Sequence, residues 1–148
     1  MIRVVTATAG DLEWIVSQLP ELDREFNEKM VFSGDKEGIT LRMSFLIEDG
    51  VVLVAFDGDD RIGFIAGARI SHFFNPKIIV LSQFLWWVIP SRRGSRAAQK
   101  LLSAMVCVAK ETCDWMDVYV MRNCPIESES MRKFGFKEAD KMFRLEVG

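Results

Sequence analysis

The sequence predicts a mixed α/β (α+β) fold built on one sheet. Three observations carry this. Val51–Phe56, Arg61–Ile70 and Val80–Ile89 are apolar runs rich in β-branched and aromatic residues, set apart by turn residues. An Ala/Leu-rich helical pattern over 97–112 follows the third run. A strand pattern, Trp115–Val120, comes straight after that helix, and a crossover helix delivers such a strand parallel to the one before it. The 148 residues suit one domain, with no repeat or linker.

Taken in order, Ile2–Thr6 alternates weakly and reads as the first strand. Asp11 can cap a helix from Leu12 to about Leu19, with Leu12, Ile15, Val16 and Leu19 on one side and Pro20 closing it. Glu21–Phe32 carries Leu22, Phe26 and Met30 at helical spacing, a second short helix that Gly34 ends. Lys36–Glu48 reads as a helix packed on a core, although Ile39, Leu41 and Met43 alternate. Val51–Phe56, the turn at 58–60 and Arg61–Ile70 form a hairpin, which the Val80 strand extends to an antiparallel meander. Gly63 and Gly67 inside the hairpin's second strand predict a bulge or a close backbone approach. Glu127–Phe134 is a short helix with Gly135 at its C-cap. Phe136–Ala139 and Met142–Val147 are closing strands. The sheet thus has about seven strands, mostly antiparallel, flanked by about four helices.

The most informative stretch is Val80–Leu102. Pro90 ends the strand, and Ser91 or its neighbours can cap the next helix. After the RRGSR segment that helix carries apolar Ala98, Leu101, Leu102, Met105, Val108 and Ala109. Strand, tight polar turn and helix N-terminus place unpaired backbone N–H groups beside Arg92, Arg93 and Arg96, an anion site suited to phosphate. The plainer alternative is that the arginines are solvated charge and Gly94 serves a turn. The spacing is neither that of a P-loop nor that of a dinucleotide fingerprint, because Gly94 is the turn's one glycine.

Charge narrows the ligand. The net charge is −2, which argues against a nucleic-acid partner. Residues 1–75 hold 7 Lys/Arg against 13 Asp/Glu, and residues 76–148 hold 12 against 8, so the anion site lies in the basic half. Cys107, Cys113 and Cys124 form no framework, Cys107 is expected in the core, and a reducing cytoplasm is the expected compartment. One His and scattered Cys do not make a zinc site, and no apolar run is long enough to span a membrane.

These residues resemble the GCN5-related N-acetyltransferase superfamily, along essentially the whole chain. That family's central motif is a strand ending in V-x-P, then R-G-x-G-x-G/A, then a helix with paired leucines. Here it reads Val88-Ile89-Pro90, then Arg93-Gly94-Ser95-Arg96-Ala97-Ala98, then Leu101-Leu102. A late N…(Y)xxxGF motif is matched by Asn123 and then Met131 through Gly135-Phe136. The resemblance implies a single N-acetyltransferase domain over 1–148 with acetyl-CoA as cosubstrate. The pyrophosphate would sit on the N–H groups of Arg93, Gly94, Ser95, Arg96, Ala97 and Ala98. The pantetheine arm would lie in a splay between the strands at 80–89 and 115–120, paired to backbone near Trp86 and Val88. Asn123 would face the cosubstrate or a water.

Two positions depart from the pattern. Arg96 stands at the motif's middle glycine, where it either reaches a phosphate or crowds the turn. Met131 stands where many members carry a tyrosine acid, and a thioether donates no proton. The strand position that often holds a carboxylate base is occupied by Ser82 and Gln83, which are not bases but can position an amine or order water. Tyr119 reads first as a core aromatic, with an acceptor contact and a substitute acid as the other readings. Glu25, Glu28 and His72 are further base candidates, the two glutamates reading first as solvated helix charges and His72 first as structural. Trp86 and Trp87 are adjacent and so face opposite sides of the sheet. The acceptor is expected to be an amine-bearing protein or small molecule, and a cationic one. Glu21, Asp23, Glu25, Glu28, Asp35 and Glu37 make an acidic wall there. A homodimer stays open, as does the alternative of a catalytically weak or inactive protein of this fold that binds acetyl-CoA or a protein partner.

Overall fold

The computed structural model describes residues 1–26, 35–120 and 128–148. The chain runs strand β1 (Ile2–Thr6), helix α1 (Leu12–Phe26), helix α2 (Lys36–Asp49), strands β2 (Val51–Asp57), β3 (Asp60–Ser71) and β4 (Ile79–Val88), helix α3 (Ala97–Thr112), strand β5 (Trp115–Asp117) and helix α4 (Ser128–Lys133). The strands form one sheet in the order β1-β2-β3-β4-β5. Neighbours are antiparallel from β1 to β4, and β5 joins β4 in parallel. Helix α3 covers one face, on Leu53, Ile65, Leu81 and Val88, while α1 and α2 cover the other, on Val54, Phe64 and Trp87. With both faces covered, the central strands read as continuous apolar runs rather than as alternation.

Asp11 anchors the entry to α1. Its carboxylate accepts the Thr8 N–H and the Arg61 Nε–H, each at 2.8 Å. Burial pushes its pKa up, but the Thr8 and Arg61 hydrogen bonds and the Arg61 charge outweigh that and hold it below the ordinary carboxylate value. A carboxyl depressed in the folded state contributes stability that is fully present above its unfolded pKa. That stability is lost as pH falls through the folded one. Urea unfolding stepped from neutral pH down past about pH 4 is therefore expected to show a stability loss that is shallower in Asp11→Asn.

The structure corrects several expectations. Pro20 does not close the first helix, since α1 continues to Phe26. The proline lies on the exposed side, while Leu19 and Leu22 are buried on one face, so packing carries the helix past the lost N–H. Glu28, Met30 and Phe32 lie outside the described residues. Ser91 does not cap α3. Pro90–Arg92 is a 3₁₀ turn, and Arg96 is the N-cap. Cys107 is exposed because it lies across α3 from the buried Met105 and Ala109. Among the described residues the sheet has five strands rather than about seven, and neither 136–139 nor 142–147 forms a strand. Alternation alone does not make a strand without a partner edge. The ladder of β5 runs for three residues before it leaves β4.

Candidate functional site

The site forms where β4 and β5 part. The parallel ladder pairs Val80 with Trp115, Leu81 with Met116 and Ser82 with Asp117, then stops. At the next position Gln83 is only 2% exposed, and its Oε1 accepts the Tyr119 N–H at 3.0 Å. A side-chain carbonyl here replaces the next backbone partner, so the strands are held apart rather than zipped. Directly after it, Phe84 is the extra residue of a bulge, because Gly67 pairs with Gln83 and Ala66 with Leu85. Both glycines expected to mark a close approach do so. A Cβ on Gly67 would collide with the Ser82 carbonyl oxygen, and one on Gly63 would lie 2.6 Å from that of Trp87.

Past the bulge, no described strand pairs with β4 on its β5 side. The Ile89 N–H bonds the Ile62 carbonyl at 2.9 Å, on the β3 side. Alternation then turns the backbone groups of Trp86 and Val88 toward the splay. The Val88 carbonyl meets Arg93 Nε at 3.1 Å there. Trp86 and Val88 line a cleft of about 490 Å³ together with Arg93, Gly94 and Arg96 of the turn, the first residues of α3 and Met131.

The foot of α3 supplies the other half of the site. Gly94 and Arg96 both take left-handed conformations, with φ of 86° and 71°. The helical ladder opens with Lys100 N–H donating to the Arg96 carbonyl at 3.0 Å. The N–H groups of Ala97, Ala98 and Gln99 therefore have no intrahelical acceptor, and among the described residues no side chain caps them. Arg96 tolerates a glycine-like conformation, at a cost of about 1–2 kcal/mol, and its side chain is exposed.

The other arginines are engaged. Arg92 pairs with Asp57. The Arg93 N–H donates to the Pro90 carbonyl at 3.3 Å, so it is not the open donor expected of it. The Arg93 guanidinium forks onto Glu25 at 2.6 and 2.8 Å and stacks over Trp87, 4.8 Å from the ring centroid. Ser95 donates its hydroxyl to the Arg92 carbonyl.

The other predicted site residues have varied surroundings. Ser82 is buried in the ladder. Tyr119 is 56% exposed and so not core, and its N–H rather than its ring meets Gln83. Trp86 packs with the α3 cluster, while Trp87 is buried on the α1 side, its Nε1–H reaching Gln18 at 3.2 Å. Met131 is buried in the cleft wall. His72 belongs to a surface turn, its Nδ1 accepting the Phe74 N–H and its ring edge-on to Trp115. Asn123 and Cys124 lie outside the described residues. Glu25, which reads first as a solvated charge, is instead ion-paired in the cleft wall. Its partner is 68 residues away, a separation no local pattern reveals. Among the described residues no helix is long and apolar enough to cross a membrane.

No family model matches the chain, and no curated protein matches its sequence. Solved structures match its fold, which is the fold of GCN5-related N-acetyltransferases. One such enzyme from Ralstonia eutropha JMP134 superposes with a TM-score of 0.79 at 15% identity, over 100% of both chains. A predicted acetyltransferase from Clostridium acetobutylicum, crystallised with acetyl-CoA, gives 0.78 at 20% identity, over 99% of this chain and 96% of that one. An aminoglycoside acetyltransferase from an uncultured soil metagenomic sample, in complex with sisomicin, gives 0.71 at 12% identity, over 99% and 97%.

Proposed function

We propose that this protein is an N-acetyltransferase of the GCN5-related superfamily, moving an acetyl group from acetyl-CoA to a primary amine by direct attack. The observation that carries the reading is an edge of β4 that no described strand pairs, ending at the N-terminus of α3, which no described side chain caps. The chemistry of these groups fits the cosubstrate. Ala97, Ala98 and Gln99 N–H, with Gly94, Ser95 and Arg96 shaping the turn, would hold the pyrophosphate. Trp86 would pair with an amide of the arm, and Val88 would meet its thioester end. Acetyl-CoA supplies an activated acyl group and a thiolate that leaves readily. The Val88 N–H would stabilise the developing oxyanion. The amine nitrogen forms the new C–N bond as the C–S bond breaks, and its proton passes to solvent. Ser82, buried in the ladder, would act on the amine only by fixing the strand ahead of the cleft, Gln83 would hold the cleft open, Tyr119 is the phenol proposed as substitute acid, and Asn123 keeps its proposed place beside the cosubstrate.

The test is thiol release from acetyl-CoA with a panel of amines, lysine peptides and polyamines. Turnover with at least one acceptor is expected. Met131 in the cleft wall favours the second reading, a protein that binds acetyl-CoA without turning it over. Tight binding with no release on any acceptor would select that reading.

The strut makes its own prediction. Gln83→Leu removes the acceptor of the Tyr119 N–H, whereas Gln83→Glu keeps one. Calorimetry is expected to show acetyl-CoA affinity about tenfold weaker in the leucine variant, worth ~1.4 kcal/mol, and largely kept in the glutamate variant. Equal affinity in both would deny Gln83 any part in shaping the cleft.

A further inference from the structure

We propose that Glu25, the Val88 carbonyl and the face of Trp87 form a cation cage, and that the Arg93 guanidinium is its resting occupant. The cage is the place that receives the ammonium or guanidinium group of the acceptor. The inference deepens the acetyltransferase reading and rests on it for the word acceptor.

Three kinds of cation partner converge on one group. The Glu25 carboxylate is held by a two-pronged contact at 2.6 and 2.8 Å. The Val88 carbonyl accepts at 3.1 Å. The Trp87 indole presents its face at 4.8 Å. They come from α1 and β4, whereas Arg93 comes from the turn after β4, so the walls of the cage persist when the arginine leaves. All four residues line the same cleft. Val88 is also the residue whose N–H is proposed to meet the thioester oxygen, so a cation in the cage is beside the reacting carbon.

Exchange of the occupant is cheap. The Glu25 and Arg93 side chains are 28% and 34% exposed. An incoming cation makes the same contacts that Arg93 gives up, so the exchange replaces one set of partners by another rather than leaving the carboxylate bare. Arg93 has an alternative partner close by, because it directly precedes the Gly94–Arg96 turn at the foot of α3. A phosphate held on that turn attracts Arg93 and vacates the cage. CoA and a cation therefore bind with positive coupling, and the coupling is reciprocal.

The experiment titrates spermidine and agmatine into ¹⁵N-labelled protein, with and without saturating CoA, following the Trp87 indole N–H. In the wild type, CoA is expected to raise cation affinity about tenfold, ~1.4 kcal/mol of coupling. Arg93→Met empties the cage, so cation affinity without CoA rises by a similar factor and the CoA effect disappears. Arg93→Gln, uncharged and polar, gives the same result if the methionine variant folds poorly. Glu25→Gln weakens the cation far more than it weakens CoA. Unchanged or weaker cation binding in the Arg93 variants, or unchanged binding in Glu25→Gln, overturns the cage. A wild type that never binds CoA removes the acetyltransferase reading instead, and the comparison of variants with cation alone still decides whether the cage exists.

Discussion

Gly67→Ala is expected to cost the fold about 3 kcal/mol, the upper range for forcing atoms into a packed interior. The added Cβ meets the Ser82 carbonyl oxygen and the Gln83 backbone, not the pliable end of a side chain. The strand has no room to retreat, because its other neighbour, β2, pairs Val51 with Gly67. Relief requires β4 to move away from β3 at the position where the bulge sets its direction. The expected readout is a melting temperature lowered by roughly 10 °C, taking about 3 °C per kcal/mol for a chain of this size. Whatever folded protein remains should bind acetyl-CoA poorly, since the bulge and the Gln83 strut shift together. A variant that melts as the wild type does would mean that β3 and β4 are not this close.

Gly94→Val is expected to act on binding rather than through a clash. A Cβ at Gly94 meets nothing within 4 Å, so the side chain has space. The penalty is conformational, since a β-branched residue at a φ of 86° carries strain of about 1–3 kcal/mol. The turn relieves that strain by leaving the left-handed conformation, which re-aims the N–H groups after it. If the bound state needs the strained turn, the same energy emerges as a ten- to hundredfold loss of acetyl-CoA affinity, at ~1.4 kcal/mol per factor of ten. Gly58 provides the control. It too has positive φ and open space, at the tip of the β2–β3 hairpin. Gly58→Val should show a comparable loss of stability without the loss of affinity.

Legibility in the sequence depends on where each interaction lives. Strand and helix identity come through because the periodicities are local, and the bulge is marked by Gly67, whose missing side chain is itself the signal. The strand, turn and helix start over 80–102 come through for the same reason, since their signals sit side by side in the sequence. The misses are non-local. Pro20 marks a helix end by its chemistry, yet burial of Leu19 and Leu22 overrides it. The alternation of 142–147 suggests a strand but does not supply an edge to pair with. Gln83 reads as a non-base in a catalytic position. That its carbonyl props two strands apart depends on Tyr119, whose backbone no pattern could place against it. Glu25 and Arg93 read separately, as surface charge and as phosphate ligand, because only the tertiary fold brings them within 2.6 Å.

The proposed function places one acetyl-CoA along the β5-side edge of β4, with its pyrophosphate on the foot of α3. Backbone amide shifts during an NMR titration with CoA probe that placement residue by residue. Saturable movement is expected to be largest at Val88 and at Ala97, Ala98 and Gln99, with the amides of α2 nearly still. No saturable shift at millimolar CoA, or movement centred on α2 and the outer strands, would contradict it.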